Sequence, residues 1–262
     1  MIDYVRGWVL ITGASAGIGA EFARQLAGEG YALVLVARRL QRLTELKLEL
    51  EEKVPVKVCA LDLCKPDAVG RLERFCEEES IQVDLLINNA GFGSCGKFLD
   101  LDLDRELEMT DLNIRAMIEL SHRFGKAMVQ KGSGKILIVA SCGGFQPGPG
   151  MNTYFATKAF DLHFAEAFDE ELSNTGVRCS VLCPGPTATE FFDVAGAKSL
   201  KATPMPSMNV KDVVKYAILK MGQGQRVIVP GFLNKFATLC YRFFPRRLIT
   251  SILGRVLLHR SK

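Results

Sequence analysis

The pattern that most restricts this chain is an apolar run that ends directly in glycines. Trp8-Val9-Leu10-Ile11-Thr12 is followed without a spacer by Gly13-Ala14-Ser15-Ala16-Gly17-Ile18-Gly19, and then by a helical pattern that closes at Gly28 and Gly30. A short run with no polar alternation fits a strand buried on both faces, which is the environment of a parallel sheet. Parallel neighbours need a crossover between them, usually a helix. The rest of the chain supplies these crossovers. Strands are expected at 32–37, 56–61, 84–88, 135–140, 177–183 and 226–230. Helical patterns separate them at about 41–53, 66–79, 104–130 and 209–221. The alternation predicts an α/β domain with a doubly wound parallel sheet. Ligands of such sheets sit at the carboxyl ends of the strands, and Gly13, Arg38, Asp62 and Asn89 all fall there.

The strand, glycine-rich turn and helix start together read as a phosphate cradle. Glycines allow close approach of the backbone, and a helix N-terminus offers free N–H groups and a positive dipole end. The spacing is Gly-x-x-x-Gly-x-Gly, and a cluster of glycines can also be no more than a tight turn. At the end of the second strand an acid would bond the ribose 2′-hydroxyl of NAD, whereas an arginine suits the 2′-phosphate of NADP. Here Ala37 is followed by Arg38 and Arg39, which favours NADP. The plainer reading, arginines capping a solvent-facing helix, fits Arg39 better than Arg38.

The chemistry is carried by Met151-Asn152-Thr153-Tyr154-Phe155-Ala156-Thr157-Lys158. In a helix, residues four apart share a face. A phenol has a reference pKa of about 10, and a neighbouring ammonium favours its phenolate, making it a better proton donor. A carbonyl that is receiving hydride needs such a donor. A Tyr-x-x-x-Lys pair alone is common, and one core tyrosine beside one solvated lysine would look the same. Ser141 lies thirteen residues before Tyr154, at the end of a strand. The loop between them holds four glycines and two prolines, so it is built to turn. Asn113 sits inside the helix expected from Asp104 to Gln130, where a poor helix former needs a polar reason.

Size and composition limit the alternatives. A chain of 262 residues, 48% hydrophobic and 24% charged, is globular and can bury a sizeable core. No apolar run reaches the length of a membrane span. The N-terminus lacks the pattern of a secretion signal, so a cytoplasmic location is expected. The eight cysteines lack metal-ligand spacing and do not cluster with His122, His163 or His259, so no metal is expected and the thiols read as reduced. The net charge of +4 is uneven. From Phe232 onward there are seven Lys or Arg and no acid; without them the remainder carries −3. A basic body suited to nucleic acid is therefore absent.

Taken together, Thr12-Gly13-x-x-x-Gly17-Ile18-Gly19, Asn88-Asn89-Ala90-Gly91, Asn113, Ser141, Tyr154-x-x-x-Lys158 and Pro184-Gly185 resemble the short-chain dehydrogenase/reductases, in the family's order from about residue 7 to 230. The resemblance implies a single Rossmann domain over 1–231 with about seven strands and helices on both faces. It implies an NADP-dependent oxidoreductase interconverting a ketone and a secondary alcohol. Tyr154 would be the general acid/base, and Lys158 its pKa modulator and a ligand of the nicotinamide ribose. Ser141 would polarise the carbonyl, and Asn113 would position a water that links Lys158 to solvent. Gly13, Ser15, Gly17 and Ile18 match the pyrophosphate and ribose turn, Arg38 the NADP-selecting position, and Asp62 and Leu63 the adenine contact. Asn89, Ala90 and Gly91 match the stretch beside the adenosine ribose. Pro184, Gly185, Thr187 and Thr189 complete the cofactor set, the last at the carboxamide. The family also implies a mobile substrate lid, here about 187–208, carrying Phe191, Phe192, Met205 and Met208, and a homodimer or homotetramer.

The lid's apolar content fits a hydrophobic or acyl-type substrate, or ordinary packing. The 232–262 extension alternates apolar and basic residues and is divided by Pro245. Such a segment can lie on an anionic membrane, or can make a subunit contact or pack across the lid, which is the favoured expectation. Its Pro-Gly-x-x-Asn-Lys start at 230–235 resembles a bacterial ketoreductase subgroup. A different class of function, a nucleotide-sensing module recruited by its tail, would not need Ser141, Tyr154 and Lys158 together.

Overall fold

The computed structural model describes residues 5–197, 207–241 and 243–258. Its strands are β1 (Trp8–Thr12), β2 (Ala32–Ala37), β3 (Val56–Ala60), β4 (Val83–Asn88), β5 (Gly134–Val139), β6 (Val177–Leu182) and β7 (Val227–Ile228). They form one sheet in the order β3-β2-β1-β4-β5-β6-β7, with every pairing parallel. The helices are α1 (Gly17–Gly28), α2 (Leu40–Leu50), α3 (Ala68–Glu78), α4 (Leu103–Thr110), α5 (Met117–Lys131), α6 (Asn152–Glu171), α7 (Phe191–Val194), α8 (Val210–Gly222), α9 (Phe232–Cys240) and α10 (Arg246–Leu258).

The apolar runs form strands because both of their faces are covered. Val9 and Ile11 of β1 pack with Phe22, Leu26, Leu43 and Val213 from α1, α2 and α8. Leu10 points the other way, into a layer with Leu72, Leu120, Phe124 and Leu162 from α3, α5 and α6. The sheet is thus sandwiched, as its composition requires. The strand order reverses direction between β1 and β4, which opens a crevice at that point.

One expectation changes in detail. The helix expected from Asp104 to Gln130 is not uniform. Between α4 and α5, Asp111–Ala116 winds as a π-helical turn, with Asn113 buried in it. A π turn inserts an extra residue and rotates the following face, and such turns concentrate at functional sites. The C-terminal segment divides at Pro245, as read, into α9 and α10. The last helix folds back over the open edge, and Leu257 is buried in a cluster with Phe92, Met109, Met151, Tyr154, Ala195 and Ala197. Phe232, Phe236 and Leu239 of α9, Ile252 of α10, and Phe243 and Phe244 in the connection between them are exposed. Among the described residues, no helix is long and apolar enough to cross a membrane.

One buried carboxylate fastens the far edge of the sheet. Asp169 on α6 accepts hydrogen bonds from Arg178 Nε (2.8 Å), Arg226 Nε (2.7 Å) and the Cys179 N–H (2.9 Å), tying α6 to β6 and to the entry of β7. Burial alone would raise this carboxyl, but its donors, Arg178 first, outweigh burial and hold it at about 2. Because the folded value lies below the unfolded one, the stabilisation is complete above about pH 4 and is lost as pH falls toward about 2. Asp169→Asn, which leaves two arginines facing a neutral amide, is expected to cost about 3 kcal/mol. Urea unfolding from about pH 6 to about pH 2 should show that cost near neutrality and its disappearance in acid.

Candidate active site

The carboxyl edge is stitched together at the point of reversal. The Thr12 hydroxyl accepts hydrogen bonds from the N–H groups of Asn89 and Ala90, each at 3.0 Å. The Asn89 amide donates to the carbonyls of Thr12 (2.9 Å) and Gly13 (3.3 Å). Gly13 has φ +65°, and a Cβ there would stand 2.8 Å from the Asn89 amide nitrogen and 2.9 Å from the Ala90 Cα, so a side chain is excluded twice over. The end of β1 and the end of β4 are thereby locked at one height.

On this edge the helix start of α1 carries no side-chain cap and no acid in its first turn. Its orphan N–H groups and dipole favour an anion. A cleft of about 690 Å³ opens beside it, lined by Ser15, Ala16, Gly17, Thr187, Thr189 and Phe192, among others. Ile18 packs partly buried below the turn. Thr189 approaches the turn closely, its Cγ2 only 3.1 Å from where a Gly17 Cβ would be. Asp62 follows β3 and accepts from the Cys64 N–H (3.1 Å), with Leu63 buried beside it. Thr187 donates to the Gly185 carbonyl (2.9 Å) and pairs with Met208. The Pro184 carbonyl accepts from the Cys142 N–H (2.9 Å). Gly185 is pressed by the buried Asn234 of α9, so the tail begins against this loop. Of the expected lid, residues 198–206, with Met205, lie outside the described residues.

The arginines behave differently from the expectation. Arg38 turns to Glu108 on α4 (3.3 Å). Arg39 reaches back to the Ser15 hydroxyl (3.1 and 3.0 Å) and to Glu190 (3.1 Å), and Arg42 holds the same Glu190 carboxylate at 2.6 Å. Ser15, Arg39 and Arg42 therefore form an anion-holding cluster at the glycine turn, in which a carboxylate from the lid segment sits. The hydrogen bonds from Arg42 and Arg39 keep the Glu190 carboxyl below its ordinary range. Arg42 lies in a charged helix pattern, and nothing in its spacing marks it out.

Tyr154 and Lys158 lie on one face of α6, and both are buried. Ser141, just past β5, lies close enough to the phenol to pull its pKa down, and its Oγ accepts from the Gly143 N–H (3.0 Å). Lys158 Nζ donates to the Val139 carbonyl and to Asp161 Oδ2, each at 2.8 Å, and lies 6.0 Å from the centre of the Tyr154 ring. Burial raises the Tyr154 phenol above its ordinary value, and the opposing pull of Lys158 and Ser141 does not bring it back down. The net direction is thus opposite to what a free ammonium alone would give. Burial pulls Lys158 down, but Asp161, followed by Tyr154, raises it above its ordinary value on balance; burial also raises the Asp161 carboxyl, against the pull of Lys158. Asn113 is committed on both sides of its amide: its Oδ1 accepts from the Phe92 N–H (3.2 Å), and its Nδ2 donates to the Phe92 carbonyl (3.0 Å) and to Thr157 (3.1 Å). Gly91 borders it, with Asn113 Oδ1 3.0 Å and Lys158 Nζ 3.6 Å from where a Cβ would be. Above the phenol lie Phe191 (4.9 Å between ring centres), Phe92, Met151 and Leu257. Among the described residues, no cluster of His, Cys, Asp and Glu could hold a metal, and all eight cysteines are free.

A serine and a tyrosine hydroxyl converge here beside a buried cation, against an apolar wall. The set can polarise one carbonyl oxygen and deliver one proton to it. The clasp beneath it depends on Thr12. Thr12→Val leaves the Ala90 N–H without its acceptor and weakens that of Asn89, so a loss of about 1–3 kcal/mol is expected in chemical denaturation.

Comparison with known proteins agrees with this geometry. The profile of the family described as short chain dehydrogenase matches residues 7–199. Sulfoacetaldehyde reductase 2 of Chromohalobacter salexigens is 34% identical over 218 residues, which cover 79% of this chain and 86% of that protein. A short-chain dehydrogenase from Sphingobium yanoikuyae, solved in complex with NADPH, superposes with a TM-score of 0.82 at 32% identity, over 94% of this chain and 95% of the other. The bulky-bulky ketone specific alcohol dehydrogenase from Comamonas testosteroni gives a TM-score of 0.79 at 29% identity, over 95% of both chains.

Proposed function

This chain belongs to the short-chain dehydrogenases, and from that premise we propose that it reduces an apolar ketone to a secondary alcohol with NADPH as hydride donor. Carbonyl and alcohol oxidoreduction is the chemistry of the family; the cofactor, the direction, the substrate class and the residue roles are the proposal. The observation that carries it is the convergence of Ser141 and Tyr154 hydroxyls beside Lys158, under the wall of Phe92, Met151, Phe191 and Leu257.

The residues present fit a dinucleotide phosphate. The uncapped start of α1 and the glycine turn, Gly13 to Ile18, would take the pyrophosphate. The Ser15–Arg39–Arg42 cluster already holds a carboxylate and would take a 2′-phosphate in its place, with Arg38 close by in sequence. Asp62 and Leu63 would border the adenine, and Asn89, Ala90 and Gly91 the ribose next to it. Pro184, Gly185, Thr187 and Thr189 would line the nicotinamide end. When bound, the cofactor supplies the hydride.

The chain's own residues do the rest. Ser141, its Oγ oriented by the Gly143 N–H, donates its hydroxyl proton as a hydrogen bond to the carbonyl oxygen. Tyr154 donates to the same oxygen and gives up its proton as negative charge accumulates there. Lys158 stabilises the phenolate so formed. Burial keeps the phenol protonated, as the donor role in reduction requires. Asn113 fixes the backbone of Phe92 and so the wall on which the substrate rests. That wall is apolar, which supports a hydrophobic ketone over a small charged aldehyde. The exposed apolar and basic outer face of α9 and α10 supports a contact role for the tail in a homo-oligomer.

Tyr154→Phe is expected to lower the rate of ketone reduction by about 10²–10⁴-fold while leaving NADPH binding intact. Retained turnover in that variant would overturn the assignment. Titration with NADPH and NADH should show a preference for NADPH that falls in Arg39→Ala and in Arg38→Ala. Equal binding of the two cofactors by the wild type would remove the 2′-phosphate reading.

A further inference from the structure

Asp161 is a buried carboxylate for which the mechanism above has no use. It is 1% exposed and lies three residues past Lys158, so that Tyr154, Lys158 and Asp161 form a single stripe along α6. One of its oxygens, Oδ2, accepts from Lys158 Nζ at 2.8 Å. The other, Oδ1, is buried and has no hydrogen-bond partner among the described residues. Asn88 Oδ1 is in the same condition, although its amide nitrogen donates to Ser121 (2.9 Å). Both residues line a cavity of about 10 Å³ behind the Tyr154–Lys158 pair, whose other polar walls are Thr12, Asn113 and Lys158. That volume is about one water, and a buried water needs two or more polar partners. Two orphaned acceptors in one such cavity meet that requirement.

We propose that Asp161 is a positioning residue for this reaction: its carboxylate anchors the Lys158 ammonium, offsets that charge at Tyr154, and shares with Asn88 one water seated behind the pair. The inference rests on the reading of Tyr154 as proton donor. An isolated ammonium at this distance would draw Tyr154 toward phenolate. Paired with Asp161, the lysine has its pull on Tyr154 partly offset, which adds to the effect of burial, so the tyrosine keeps its proton to higher pH and the site is set for donation. No other charged group opposes the lysine here. The remaining titratable groups that face the pair are Cys142, after β5, and Cys183, after β6. Burial pushes Cys142 up to about 12 and Cys183 well above its ordinary value, so both are neutral thiols, and Glu166 lies beyond Cys183. Asp161 therefore tunes the direction in which the enzyme works best, without touching the substrate.

The test compares wild type, Asp161→Asn and Asp161→Glu in two ways. The first is an ultraviolet titration of Tyr154 in the cofactor-free protein, isolated by subtracting the same titration of Tyr154→Phe. The second is the pH profile of kcat/KM for ketone reduction and for alcohol oxidation. In wild type, Tyr154 should titrate above the ordinary phenol value of about 10. In Asp161→Asn it should titrate about one unit or more lower. The alkaline limb of reduction should move with it, lowering the rate about tenfold in that window, while the acid limb of oxidation moves down to lower pH. Asp161→Glu should restore both limbs. A uniform loss across pH with the tyrosine titration unmoved would overturn the proposal and leave Asp161 a structural residue. If Asp161→Asn does not fold, the double variant Lys158→Met with Asp161→Asn, which removes both charges together, decides: Tyr154 titrating near its wild-type value supports the offset, and a rise of about one unit or more overturns it. Failure of the underlying reading is separate, because it appears as turnover surviving in Tyr154→Phe.

Discussion

Everything at the candidate site depends on one constraint, that all the strands run the same way. A parallel sheet puts every carboxyl end on one edge, so loops far apart in sequence begin from the same level. The edge would still be loose at the reversal between β1 and β4, which are neighbours in the sheet but not consecutive in the chain. The Thr12 hydroxyl and the Asn89 amide close that gap with four hydrogen bonds between the two ends. The glycine turn on one side and the Ser141–Tyr154–Lys158 group on the other are therefore held in register by a clasp of two side chains.

A second constraint is electrostatic. A lysine on α6 is taken out of water, which costs several kcal/mol unless its charge is met. It is met twice, by the Val139 carbonyl and by Asp161. The compensation comes from the helix that bears the lysine and from the neighbouring strand end, so the ammonium is fixed from two elements. Preorganisation of this kind is what makes a charge useful at the moment a second charge develops nearby.

Much of the fold was legible because burial on both faces leaves a plain mark. Val9-Leu10-Ile11 and Leu33-Val34-Leu35 have no polar alternation, and they can only be interior strands. Tyr154 and Lys158 were legible because helical spacing fixes their common face. Asp161 was not, since an aspartate on a helix is ordinary until tertiary packing buries it. The π turn at Asp111–Ala116 was hidden for a related reason: it depends on where Asn113 finds partners in Phe92 and Thr157, which are distant in sequence. Arg38 and Arg39 are adjacent in one strand-to-helix turn, and sequence does not say which turns toward Ser15. The contact of Leu257 with the Tyr154 cluster was beyond any local pattern, since about a hundred residues lie between them.

That last contact bears on how the protein is made. The glycine turn, the clasp and the hydroxyl pair are all present by the middle of α6, yet the wall above the phenol is finished by α10, which follows the last strand of the sheet. During synthesis the Rossmann body can close while the tail is still within the ribosome, and the reacting face stays open to water until the last helix emerges. A chain that loses its final turn would be a folded body with an unroofed site. The state of α10 is therefore reported at the chemical centre itself, through Leu257.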